Sequence, residues 1–103
     1  SSRTRILPTV ILSFGDKATE QFANGAFVPA FQGFAVQASK RLDILGAATG
    51  LADLRALPSN RLEALHGDLR GLFSIRINAQ WRIVFRWGDG DRGPSEVRIV
   101  DYH

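Results

Sequence analysis

The sequence predicts an α+β fold in the order β-α-α-β-β-β(-β), with two helices packed on one face of a small antiparallel sheet. Three observations carry that reading. Apolar residues from Phe31 to Leu45 recur at spacings of three and four, the period of a helix. After Pro58 the period changes to two, as in half-buried strands. The chain has 103 residues, 45% of them hydrophobic, with seven Phe and two Trp, which suits one packed core.

Taken in order, Thr9-Val10-Ile11-Leu12-Ser13-Phe14 is a short apolar, β-branched run ended by Gly15, and reads as a first strand. Asp16 is a good N-cap, so a short helix follows to about Ala23 and stops at Asn24-Gly25. Val28-Pro29 is a break. Phe31, Phe34, Ala35, Ala38, Leu42 and Leu45 then form the apolar stripe of a second helix, with Gly46 as its stop. Leu51 to Leu54 reads as one further turn. Arg61 to His66 is the optional strand. Gly71 to Ile77 and Trp81 to Trp87 alternate and form a hairpin around Asn78-Ala79-Gln80. Gly88 to Pro94 is a longer turn, and Glu96 to Tyr102 is the last strand. Residues 1–8 read as a non-native or replaced leader with the native start near Val10, which leaves 9–103 as a single domain.

Composition removes several classes of function. With no Cys there is no disulfide framework, thiol nucleophile or Cys-type zinc site. Two His are too few for a multi-His metal centre, so neither a metal nor another cofactor is expected. No apolar run approaches the roughly 20 residues of a membrane-spanning helix. The net charge of +3 falls to +1 without Arg3 and Arg5, so bulk charge says little about a nucleic-acid partner.

The placement of charge says more. From residue 55 onward all eight basic residues are Arg, a side chain whose planar fork of donors suits phosphate. Phe73, Ile75, Ile77, Trp81, Ile83 and Phe85 share one parity and must face the helices. Two short helices cover only one face of a sheet, so the opposite parity puts Arg76, Arg82 and Arg86 on the uncovered face, with Arg61 and Arg70 nearby. Such a face favours an anionic ligand over a merely solvated, salt-bridged surface; parity does not separate RNA, DNA or an acidic protein.

Few residues offer acid–base chemistry. His103 ends the chain beside its own carboxylate and near Asp101, both of which favour the imidazolium form and suit acid–base work near neutrality. His66 stands at a strand-to-turn junction, where a surface role bonded to the turn is the simpler reading. Glu63 and Asp68 can pair for acid–base catalysis, with a salt bridge to an Arg as the plainer alternative. No Gly-x-Ser-x-Gly elbow is present, and Gly88-Asp89-Gly90 lacks the Lys-Ser/Thr and helix of a phosphate loop.

The segments Asn60 to Asp68, Gly71 to Asn78, Gln80 to Trp87 and Val100-Asp101-Tyr102-His103 together resemble HigB-type toxins (proteic killer proteins) of the RelE/ParE superfamily, over about residues 10–103. The resemblance implies a RelE-like fold with its active site on the sheet face away from the helices. It implies a cytoplasmic bacterial toxin of a type II toxin–antitoxin system, an mRNA interferase that cuts mRNA in the 30S A site of the ribosome. The implied cleavage is metal-free: the RNA 2′-hydroxyl attacks the adjacent phosphate. A HigA-like helix-turn-helix antitoxin would neutralise the toxin, and operator DNA would be bound only through that complex. Arg82 matches the family arginine at the scissile phosphate. Asp101, Tyr102 and His103 match its terminal active-site residues, Tyr102 to stack on a base or relay a proton and His103 as acid or base. His66 stands where many relatives have Lys before Gly-Asp, and Glu63 where some have an active-site His. Strand parity adds Arg61, Arg70, Arg76 and Arg86 as RNA or ribosome contacts. Two other readings share these features: a ParE-like toxin that inhibits gyrase without cutting RNA, and a non-catalytic module that uses the Arg face for docking.

Overall fold

The computed structural model describes residues 11–88 and 90–101. The expectations for residues 1–8, Thr9, Val10, Tyr102 and His103 lie outside them. Four strands, β1 (Glu63–Ala64), β2 (Leu72–Arg76), β3 (Trp81–Arg86) and β4 (Ser95–Asp101), form an antiparallel sheet in the order β1-β2-β3-β4. Helices α1 (Lys17–Ala23), α2 (Ala35–Ala47) and α3 (Leu51–Arg55) accompany it. The α+β class and the antiparallel hairpin are as the sequence predicts.

Parity sorts the sheet as the alternation requires. Ile75, Ile83, Phe85 and Val97 are completely buried, and they pack with Phe31, Phe34, Ala38, Leu42 and Leu45. Burying each such side chain contributes about 1.5–3 kcal/mol. Trp81 at the start of β3 stacks on Phe34, with ring centroids 4.7 Å apart, and meets Phe31 edge-on at 6.0 Å. These contacts seat the helical layer over one end of β3.

Among the described residues, the expected first strand keeps only an isolated parallel bridge between Phe14 and Val97. Gly15 N–H donates to Val97 O at 2.7 Å, and Val97 N–H donates to Ser13 O at 3.1 Å. Pairing ends there because Asp16 at once caps α1, its carboxylate accepting from Thr19 N–H at 2.8 Å. Thr19, completely buried, then accepts from Ile99 N–H at 2.9 Å. Residues 12–19 thus satisfy the outer edge of β4.

The predicted second helix is two elements. Pro29–Phe34 is a 3-10 helix and α2 follows it. Gly46 is no stop: it is buried inside α2, and the helix ends where Ala48 turns extended (φ −71°, ψ 141°). The strand expected over 61–66 keeps only Glu63 and Ala64. Arg61 is held in the left-handed region at φ 48° as the cap of a 3-10 turn over Pro58–Asn60, so extended pairing starts after it.

The far face of the sheet is not uncovered throughout. Leu65, Leu72 and Val84 are buried there as a second apolar cluster, with Val100 packed against it. The chain from β1 folds Leu65 onto this face by donating Leu65 N–H to Leu72 O at 2.9 Å. The arginines therefore stand around a small apolar platform and not on a bare polar sheet.

Candidate active site

Arg82 lies on β3, directly opposite Arg76 on β2 and Val100 on β4. Its Nη1 donates to Glu63 Oε1 at 2.8 Å and to Ser74 Oγ at 3.3 Å. Glu63 reaches it because β1 pairs Glu63 with Ser74, which in turn pairs with Val84 beside Arg82. Ser74 is completely buried, and the Arg82 side chain is only 17% exposed against 54% for Glu63. A guanidinium held between a buried hydroxyl and a carboxylate, beside an apolar cluster, is fixed in orientation before any ligand arrives. Low polarity around it strengthens its interaction with an anion.

Glu63 also lines a shallow cavity with Leu65, His66 and Leu69. His66 is exposed, caps a 3-10 turn over Gly67–Leu69, and its ring makes no capping bond there. The turn-bonded role expected for a surface His is not what its ring does. His66 instead shares a cavity with the carboxylate that holds Arg82.

The other predicted residues divide by place. Asp101 pairs with Trp81 across β3 and β4, so it shares the helix-side face with that ring. Its Oδ2 accepts from Gln80 Nε2 at 3.0 Å. Asp101 and Arg82 are thus on opposite faces of the sheet. Arg86 stands four residues along β3 from Arg82, about 13 Å at strand rise, and donates to Glu96 Oε2 at 3.0 Å. Arg70 is exposed at the end of the Gly67–Leu69 turn, on the Arg86 side. Arg61 and Arg76 line a separate concavity with Arg41. Tyr102 and His103 lie outside the described residues.

Sequence reading placed Arg82 on this face and offered Glu63 a salt bridge to an unspecified Arg; the structure names Arg82. Ser74 and Arg41 were missed. A Ser at the parity of Arg76 and Arg82 was the available signal for the first. Arg41 sits among the outward residues of α2 and gave none.

Over residues 12–103 the chain matches the family described as RelE-like toxin of type II toxin-antitoxin system HigB. The chain belongs to this HigB-like toxin family. The matched stretch includes Glu63, Ser74, Arg82 and every other residue of the site. The chain is 51% identical over 51 residues to Toxin HigB-1 of Vibrio cholerae, covering 50% of this chain and 54% of that protein. It is 35% identical over 63 residues to Endoribonuclease HigB of Proteus vulgaris, covering 61% of this chain and 65% of that one. The HigB-like chain thus aligns with between half and two thirds of the length of these relatives. Among solved structures, a YoeB/ParE toxin from Agrobacterium tumefaciens aligns with a TM-score of 0.47 at 22% identity, over 91% of this chain and 99% of that one. No helix among the described residues is long and apolar enough to cross a membrane.

Proposed function

We propose that this HigB-like toxin is a ribosome-dependent mRNA endonuclease, and that Arg82 holds the scissile phosphate. The carrying observation is the Arg82–Glu63 pair at 2.8 Å on the sheet face away from the helices, set over buried Ser74. In the proposed reaction the 2′-oxygen attacks the adjacent phosphorus, the bond to the 5′-oxygen breaks, and a 2′,3′-cyclic phosphate and a 5′-hydroxyl result. One proton leaves the 2′-hydroxyl and one reaches the departing 5′-oxygen. A base, an acid and a cation at the phosphate therefore suffice.

Arg82 supplies the cation, with a fork of donors that matches two phosphate oxygens. Glu63 is a carboxylate at that same guanidinium, suited to accept the 2′-hydroxyl proton, and His66 shares its cavity. His103 and Tyr102 are the candidates for the second proton and for stacking on a base. Asp101, bonded to Gln80 on the other face, serves to position the chain end and stays out of contact with the phosphate. Arg61, Arg70, Arg76 and Arg86 are proposed contacts to RNA. In this reading the toxin works in the bacterial cytoplasm at the 30S A site, and a HigA-like helix-turn-helix antitoxin restrains it. The name Endoribonuclease HigB carried by the Proteus vulgaris relative supports the reading.

Expression of the chain alone, followed by mapping of mRNA 5′ ends, tests it. New ends within translated codons are expected, with growth arrest relieved by the antitoxin. Undiminished cleavage by an Arg82→Ala, His103→Ala double variant overturns the site. DNA damage signalling without new mRNA ends points instead to gyrase, and normal growth with retained antitoxin binding to a docking module.

A further inference from the structure

A second basic site lies around the edge of the sheet from Arg82. α2, the loop at 58–61 and the β2–β3 turn enclose a concavity of about 590 Å³. Arg41 from α2, Arg61 from the loop and Arg76 from the end of β2 line it, together with Gln37, Ser59 and Asn78 and, among the described residues, with no carboxylate.

Two of the three arginines are held by neutral groups. Arg41 Nη1 donates to Asn60 Oδ1 at 2.7 Å and to Ser59 Oγ at 3.3 Å. Asn60 is completely buried, and its own Nδ2 donates to Leu54 O at 3.1 Å, which fixes the amide and aims its oxygen at Arg41. Arg76 Nε donates to Asn78 O at 3.1 Å. These bonds set the guanidinium positions without neutralising them. Arg61 completes the ring from a left-handed backbone (φ 48°) that a non-glycine residue adopts at a cost. Its side chain makes no hydrogen bond or ion pair with any described residue.

Arg76 links this concavity to the first site, because it sits directly across from Arg82 in the β2–β3 register. Like charges in that position repel. Glu63 offsets Arg82, and no described carboxylate is bonded to Arg76. Arg86, farther along the same strand, has Glu96. Three arginines with no bonded described acid thus lie together, continuous with the proposed scissile-phosphate site. Among the described residues no aromatic ring lines the concavity, so its three guanidinium groups suit the charged backbone of a strand more than its bases.

We propose that Arg41, Arg61 and Arg76 form a second phosphate site, which grips the backbone of the RNA strand as it runs on from the bond held at Arg82. The proposal rests on the endonuclease reading and extends it from one phosphate to a track of several.

The test is binding of the whole chain to a short, labelled, single-stranded oligoribonucleotide blocked against cutting by 2′-O-methyl groups, followed by fluorescence anisotropy over a range of salt. Each phosphate contact contributes about 0.7 to the slope of log affinity against log salt for a single strand. An Arg61→Gln, Arg76→Gln double variant is expected to lose about 1.4 of slope and to bind at least tenfold more weakly at low salt. Its thermal midpoint should fall by no more than a few degrees, since Arg61 is exposed and half-buried Arg76 gives up one bond, to Asn78 O. Arg82→Gln should lose about half as much slope. An unchanged slope in the double variant overturns the track, as does failure of the unmodified chain to bind this RNA at low salt. If only Arg82→Gln loses slope, the second site falls and the endonuclease reading stands. If the double variant loses slope while Arg82→Gln still cuts mRNA on ribosomes, the track stands and the assignment of Arg82 falls.

Discussion

Arg82 and Glu63, 19 residues apart in the chain, meet at 2.8 Å on the face of the sheet that the helices leave. The contact joins the central strand β3 to the edge strand β1, and Ser74 on the strand between them supports it from beneath. For Arg82→Ala, mRNA cleavage on ribosomes is expected to fall by about 10²–10³, the usual loss when a donor to developing charge is removed. Arg82→Lys should recover only part of this, because an ammonium lacks the planar fork. Rates of cleavage, with circular dichroism to check the fold, measure both.

Glu63→Gln keeps the shape of the side chain and removes its charge. If Glu63 takes the 2′-hydroxyl proton, the rate falls by about 10²–10⁴. Single-turnover cleavage on ribosomes measures the loss, and a rate within a few-fold of the unaltered chain's would remove Glu63 from the proton transfer.

Gly15 touches the backbone of β4: a Cβ there would lie 2.8 Å from Glu96 O. Gly15→Ala must push apart the segment that covers the edge of β4, at about 1–3 kcal/mol. The thermal midpoint should fall by about 4–8 °C for each kcal/mol in a domain of this size. Differential scanning calorimetry reads the shift.

Thr49 donates both its N–H (2.8 Å) and its hydroxyl (2.7 Å) to Asp53 Oδ2 at the start of α3. These bonds hold the Asp53 carboxyl below its ordinary pKa. A depressed carboxylate contributes stability above its unfolded pKa and loses it as pH falls through the folded value. Asp53→Asn is therefore expected to lower stability at neutral pH and to converge with the unaltered chain as pH falls through the carboxylate range, which flattens the acid side of the stability–pH curve. Urea unfolding at several pH values from neutral to acid tests this.

Thr19 Oγ1 accepts from Ile99 N–H at a buried point between α1 and β4. Thr19→Val keeps the volume and leaves that donor without a partner, at a cost of about 1–3 kcal/mol. Hydrogen exchange at Ile99 should accelerate along with the loss of stability.

Much of this was legible in the residues. Period-two alternation placed Ile75, Ile83 and Phe85 inside, because a one-residue slip would expose them all to water. The same alternation groups Asp101 with Val97 and Ile99, and the structure keeps it on their face, away from Arg82. The Asp16 cap and the Asn24-Gly25 stop delimit α1 as read, with Gly25 at φ 94°. The second helix was less legible: its spacing fits a 3-10 segment followed by an α-helix as well as one continuous helix.

The sequence by itself determined the α+β class, the inner face of the sheet and the strand that carries Arg82, since each depends on local periodicity and capping. Only the tertiary structure decided which acid meets Arg82, that Leu65 joins Leu72 and Val84 in an apolar platform beside it, and that Asn60 aims Arg41 toward Arg61 and Arg76. Each of these contacts joins segments brought together by strand register and helix packing. Their side chains carry no record of those partners, because both are set by the burial of the whole core.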